Sequence, residues 1–221
     1  MLSVFCWKRG EVGMELTVAN RRAIERACRR IVHALKMSQD REVIDVSKQL
    51  AVEEALQRIE KTDEVAQFLE PLLEAKTEVE VSAYEALIER YTKPFPSLTN
   101  EQLRNMWKKE KKLKVPNVEL VDWGELVYFT WKDMTTRTQY IVAHDGTRYV
   151  TVKGTIGMAV KDGICAICNE PTETRSFTVT HRVKGQQRSQ TNAICANPTD
   201  CNARLADEQR LHRFIERQQK R

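Results

Sequence analysis

Four cysteines fall within the 37 residues from Cys165 to Cys201: Cys165-Ala166-Ile167-Cys168, then Cys195 and Cys201. The spacing is C-x2-C, 26 intervening residues, then C-x5-C. A C-x2-C turn lets two soft, anionic sulfurs converge from one tight loop. The second pair sits where a loop enters a terminal helix. Two pairs bracketing a hairpin pattern predict one tetrahedral zinc site with Cys165, Cys168, Cys195 and Cys201 as ligands. Four thiolates leave no position for water, so the expected role of the zinc is structural rather than hydrolytic. Three other readings stand beside this one. The thiols are unrelated, or His181 replaces one of them, or the first pair is a redox C-x-x-C that leaves Cys195 and Cys201 idle. Cys6 and Cys28 lie far from the cluster with no evident partner, which fits a reducing compartment better than a disulfide scaffold.

Other chemistry is hard to place. A zinc deaminase needs a His-x-Glu beside its cysteines, and none is present. No G-x-x-x-x-G-K-[ST] loop occurs to cradle a nucleotide. His33 stands alone in a helical pattern, and His144 falls in a turn; both read as ordinary structural histidines. Lys108, Lys109, Lys111 and Lys112 form a charge run, which reads either as a solvated helix face or as a phosphate-binding strip. These observations make a zinc hydrolase or deaminase a poor reading.

The elements that must position the cysteines occupy the second half of the chain. The 221 residues are 41% hydrophobic and 30% charged, enough for a folded core and for one large or two small domains. No apolar run approaches the roughly 20 residues of a membrane span, and no signal-peptide pattern opens the sequence, so a cytoplasmic protein is expected. The net charge of +5 is unevenly placed. Residues 1–93 hold 15 Lys and Arg against 17 Asp and Glu, whereas residues 94–221 hold 21 against 14. A basic half that also carries the cysteines points to an acidic partner, nucleic acid or protein; a solvated surface is the plain alternative.

Residues 1–13 lack the periodicity that follows. They read as disordered or as a mis-assigned start, with Met14 as the true one and the Gly10-Glu11-Val12 codons as a ribosome-binding site. From Thr17 to Met37 apolar residues recur at helical spacing. Asp40 caps a second helix with Val43, Ile44, Val46, Leu50, Ala51, Ala55, Leu56 and Ile59 on its inner stripe. Thr62 caps a third, which Pro71 bends or splits. Thr77 and Glu80 make a capping box for a fourth. Short joins between amphipathic helices predict an antiparallel bundle over 14–93. Lys93-Pro94-Phe95-Pro96-Ser97 breaks the pattern and starts the second domain, 94–221. Thr99 and Gln102 box a further helix whose outer side carries the lysine run.

Beyond Pro116 the period becomes that of strands: 127–131, 139–143 and 148–152, with a hairpin turn at Asp145-Gly146. Gly154 and Gly157 punctuate the next connection. Two more strands, 177–180 and 191–194, flank a polar loop from Lys184 to Gln190. Pro198 then starts a terminal helix carrying Leu205, Leu211, Phe214 and Ile215. Knuckle, hairpin and helix in that order describe a treble-clef zinc finger. The fold class is therefore α+β: an antiparallel helical bundle followed by a mixed domain holding a four-cysteine treble clef.

Several segments carry a family resemblance: Lys111-Lys112-Leu113-Lys114-Val115-Pro116, Trp123-Gly124-Glu125-Leu126, Lys161 to Asn169 through the first cysteine pair, Ile194-Cys195, Cys201-Asn202 and Phe214-Ile215. Together they resemble the FusB/FusC family of elongation factor G-binding, fusidic acid resistance-type proteins. The resemblance implies a monomer that binds the C-terminal domains of elongation factor G, touching the ribosome indirectly, and frees the factor when the drug has trapped it there with GDP. It places the contact surface on the zinc domain. Phe214 matches the family's terminal-helix phenylalanine, although a core role fits it equally. Ile164 stands where the family has an aromatic residue, and Gln190 and Ala193 stand where it has lysine and tyrosine. Lys184 and Arg188 are placed to restore the lost positive charge. An RNA- or ribosome-binding zinc protein is the alternative reading.

Overall fold

The computed structural model describes residues 15–59, 62–183 and 185–219. The expectations for residues 1–13, Met14 and Lys184 fall outside these residues. The chain is α+β.

Four helices come first: α1 (Val18–Met37), α2 (Arg41–Arg58), α3 (Asp63–Glu74) and α4 (Glu78–Tyr91). Each starts where a side chain satisfies an orphan backbone donor: Thr17, Asp40, Thr62, and Thr77 in a full capping box with Glu80. The bundle packs α1 on α2 and α4, and α2 on α3. Two expectations need correction. The α3 helix is not split at Pro71, which lies in its last turn and removes only one backbone donor there. The expected inner stripe of α2 is also too broad. Val43, Val46 and Leu50 are 51%, 54% and 47% exposed, and the buried face is Lys48, Ala51, Val52 and Ala55. The Lys48 stem lies buried while its ammonium donates to Asp45 and to the Leu73 carbonyl at the end of α3.

After the Pro94/Pro96 break, α5 (Asn100–Met106) is boxed by Thr99 and Gln102 as expected. It ends at Trp107, so the lysine run lies in turns and not on a helix face. Two single-turn 3-10 helices, Val118–Leu120 and Trp123–Glu125, lead into the sheet.

The sheet is antiparallel and six-stranded: β1 (Phe129–Asp133), β2 (Thr138–His144), β3 (Tyr149–Ile156), β4 (Lys161–Ile164), β5 (Pro171–Val183) and β6 (Gln186–Cys195). The order is β1-β2-β3-β5-β4, with β6 also paired to β5. Gly154 does not punctuate a connection; it lies inside β3, where a Cβ would stand 2.7 Å from the Phe177 ring. The expected loop 184–190 is mostly strand, because β5 and β6 stay paired out to Val183 and Gln186. The terminal helix is two helices, α6 (Pro198–Arg204) and α7 (Glu208–Gln219), with buried Leu205 and Ala206 between them.

The sheet buries both faces. On β2, Ile141 and Ala143 face the core shared with Phe177, Leu211 and Phe214, while Tyr140 and Val142 face Trp107, Leu103 and Phe95. The first of these cores also contains Val18 and Ala19 of α1, and Ala206 joins the bundle core. The helical and sheet halves therefore share packing. Among the described residues, no helix is long and apolar enough to cross a membrane.

Candidate metal centre and partner surface

The C-x2-C pair sits in the turn between β4 and β5. The Asn169 N–H closes that turn onto the Cys165 carbonyl at 2.9 Å, and Asn169 itself adopts φ +61°. The Ala166 N–H bonds the Ala193 carbonyl of β6 at 2.8 Å, which pins the knuckle to the hairpin. Cys195 ends β6. Cys201 lies in the first turn of α6, behind the Asn197 cap and Pro198. Three separate elements thus deliver four sulfurs to one point, in treble-clef order.

All four cysteines are buried, and their sulfurs lie within 4.8 Å of one another. The Cys165–Cys201 and Cys168–Cys195 sulfurs are 3.8 and 3.6 Å apart. A disulfide requires about 2.05 Å. A tetrahedron with sulfur about 2.3 Å from its centre has edges of about 3.8 Å. The thiols are therefore not joined as disulfides, and their spacing fits the ligands of one metal ion. His181 is not in the cluster; its Nε2 bonds the Gln218 carbonyl of α7.

The donor set also calls for a cation. The Cys165 thiol is pushed far down by hydrogen bonds from Cys168, Cys195 and Cys201. The Ile167 and Cys195 N–H groups add to this, reaching its sulfur at 3.4 and 3.3 Å. Cys195 and Cys201 are pushed up, first by the neighbouring Cys165, then by Cys168, with burial adding less. Four thiolates at this spacing repel one another unless a metal ion lies among them. The residues present fit such an ion.

A polar layer backs the four cysteines. Asn202, next to Cys201, accepts from the Val127 N–H at 2.8 Å and donates to the Tyr128 carbonyl at 2.5 Å. Its own carbonyl accepts from Arg22 of α1, whose other nitrogen reaches the Glu125 carbonyl at 2.6 Å. Arg26, one turn on, pairs with Glu170 at 2.9 Å and donates to the Arg204 carbonyl. Sequence reasoning missed Arg22 and Arg26, because five arginines between 21 and 30 read as solvated charge. The one usable signal was the i, i+4 spacing of Arg22 and Arg26 on the face that carries Val18 and Ala19.

The expected partner residues scatter. Ile164 is 64% exposed at the end of β4. Arg188, Gln190 and Ala193 are exposed on β6. Ala193 pairs with Ser176 and flanks the knuckle. Gln190 and Arg188 pair with Val179 and His181, so they lie on the opposite face of the hairpin from Ala193. The strand positions opposite Ile164 and Gln190 are Pro171 and Val179, roughly 25 Å apart along β5. Phe214 is 4% exposed, with its ring 5.8 Å from Phe177. It is a core residue here, because the apolar face of α7 must cover the sheet.

A helical bundle joined to an antiparallel sheet that closes on a treble-clef thiol centre is the class of protein that fold and site define. This chain shares that fold with the fusidic acid resistance protein FusC. The two are 21% identical, with a TM-score of 0.74, over 94% of this chain and 99% of that one. No family model and no curated protein matches the sequence.

Proposed function

We propose that the chain is a non-enzymatic, zinc-stabilised cytoplasmic protein that binds elongation factor G and promotes its release from the ribosome, with fusidic acid resistance as one consequence. The observation that carries this reading is the fold shared with the fusidic acid resistance protein FusC along nearly the whole chain. The four-thiol centre supports it by holding a hairpin and a helix in one shape without an open coordination position. Bound zinc would supply folding free energy on the order of 10 kcal/mol.

In this reading residues 14–93 are a scaffold and residues 94–221 are the binding unit. Ile164 and Ala193 flank the metal knuckle and form the centre of the contact. Arg188 and Gln190 extend it along β6, and Phe214 acts by holding α7 against the sheet. To release a trapped factor, the protein must favour a conformation that the ribosome holds poorly. The test is a release assay with ribosomes, elongation factor G, GDP and fusidic acid. Faster release with the protein than without is expected. Unchanged release would remove the rescue mechanism, and no RNase-resistant complex with the purified factor would remove the partner.

A further inference from the structure

We infer that the turn Lys108–Lys114 is a docking surface for the phosphate backbone of RNA. It carries Lys108, Lys109, Lys111, Lys112 and Lys114 in seven residues, with Glu110 as the one acid. Glu110 is withdrawn from the set by its ion pair with Lys153 of β3. Lys114 contacts the Thr135 hydroxyl at 3.4 Å. The other four ammonium groups are exposed and enter no ion pair among the described residues.

The turn is held by its backbone. Glu110 N–H bonds the Trp107 carbonyl at 2.8 Å, and Leu113 N–H bonds the Glu110 carbonyl at 3.2 Å. The Trp131 indole donates to the Lys114 carbonyl at 3.0 Å and meets Trp107 edge to face at 5.2 Å. Leu113, the one apolar side chain of the segment, packs against that aromatic core, so ammonium groups dominate the outer surface. Protein interfaces are depleted in lysine at their centres and built around apolar anchors. A row of strongly hydrated point charges suits phosphates instead. This inference does not rest on the elongation factor reading.

The test is anisotropy of a fluorescein-labelled RNA hairpin titrated with the full chain. With four phosphate contacts, affinity is expected to fall about 100-fold as monovalent salt rises from about 50 to about 200 mM. Changing Lys108, Lys109, Lys111 and Lys112 to glutamine should weaken low-salt binding at least about tenfold and flatten the salt dependence by roughly three logarithmic units per decade. A control replaces Arg29, Arg41, Lys76 and Arg90 of the bundle with glutamine. It removes the same charge and should bind as the parent does. Metal content and elongation factor pull-down on the same variants report whether the centre and the factor interaction survive. Three outcomes overturn the proposal: no binding at low salt, equal loss in the bundle variant, or polyglutamate binding at the lysine turn in place of RNA.

Discussion

At the residue scale, Cys165 has the most to lose. Its sulfur accepts from two backbone N–H groups and stands among three other sulfurs. A serine oxygen there is a poor ligand for a soft site. Cys165→Ser is expected to lose the metal and unfold the hairpin and α6 around it. Metal content and near-ultraviolet circular dichroism check this, and a metal-free variant with native dichroism would defeat it. Asp145 shows a different residue-scale effect. Hydrogen bonds from the Thr147 hydroxyl and from the Arg148 and Thr147 N–H groups hold its carboxyl well below the usual range. Because the folded value is depressed, the ionised group stabilises above the ordinary value of about 3.9. That contribution is lost as pH falls toward the folded value. Acid melting curves of Asp145→Asn should therefore lose less stability below about pH 4 than the parent does.

At the element scale, the strands depend on one close approach. Gly154 of β3 lies under the Phe177 ring, which is fully buried and touches Phe214. Gly154→Ala is expected to cost about 1–3 kcal/mol, because neither a strand backbone nor a buried ring can move aside freely. Urea unfolding measures it, and an unchanged midpoint would show that the ring yields. The same strand shows why sequence and structure part here. Glycine between strand-like segments reads as punctuation, yet a missing Cβ is equally what a packed aromatic ring needs. The lysine run and α7 differ for related reasons. Local pattern extends a helix past Trp107 and through Leu205, but the aromatic core captures Trp107 and buried Leu205 and Ala206 turn the chain.

At the scale of the whole molecule, α1 belongs to both halves. Arg22 is 8% exposed and ties the bundle to the Asn202 carbonyl beside Cys201 and to the Glu125 carbonyl. Burial lowers its pKa, so the pairing offsets a desolvation cost and is not all gain. Arg22→Leu would leave two carbonyls unpaired and is expected to cost about 2 kcal/mol. Unfolding should then separate into a bundle step and a sheet step. Limited proteolysis near residues 93–97 checks this, and one cooperative transition with unchanged cleavage would sink it.

The sequence alone determined what short-range chemistry determines. The four candidate ligands follow from thiol type and spacing, helix starts follow from Thr17, Asp40, Thr62, Thr77 and Thr99, and the turn at Asp145-Gly146 follows from backbone preference. The helix starts, the turn and each cysteine pair depend on groups a few residues apart. The tertiary structure decided what depends on long-range contact: that Arg22 lies buried against the residue after Cys201, that Phe214 turns inward, that Val43 and Val46 turn outward, and that Gln190 and Ala193 share a strand but not a face. The buried places of Arg22 and Asn202 are settled by partners 75 to 180 residues away, and no local pattern encodes them.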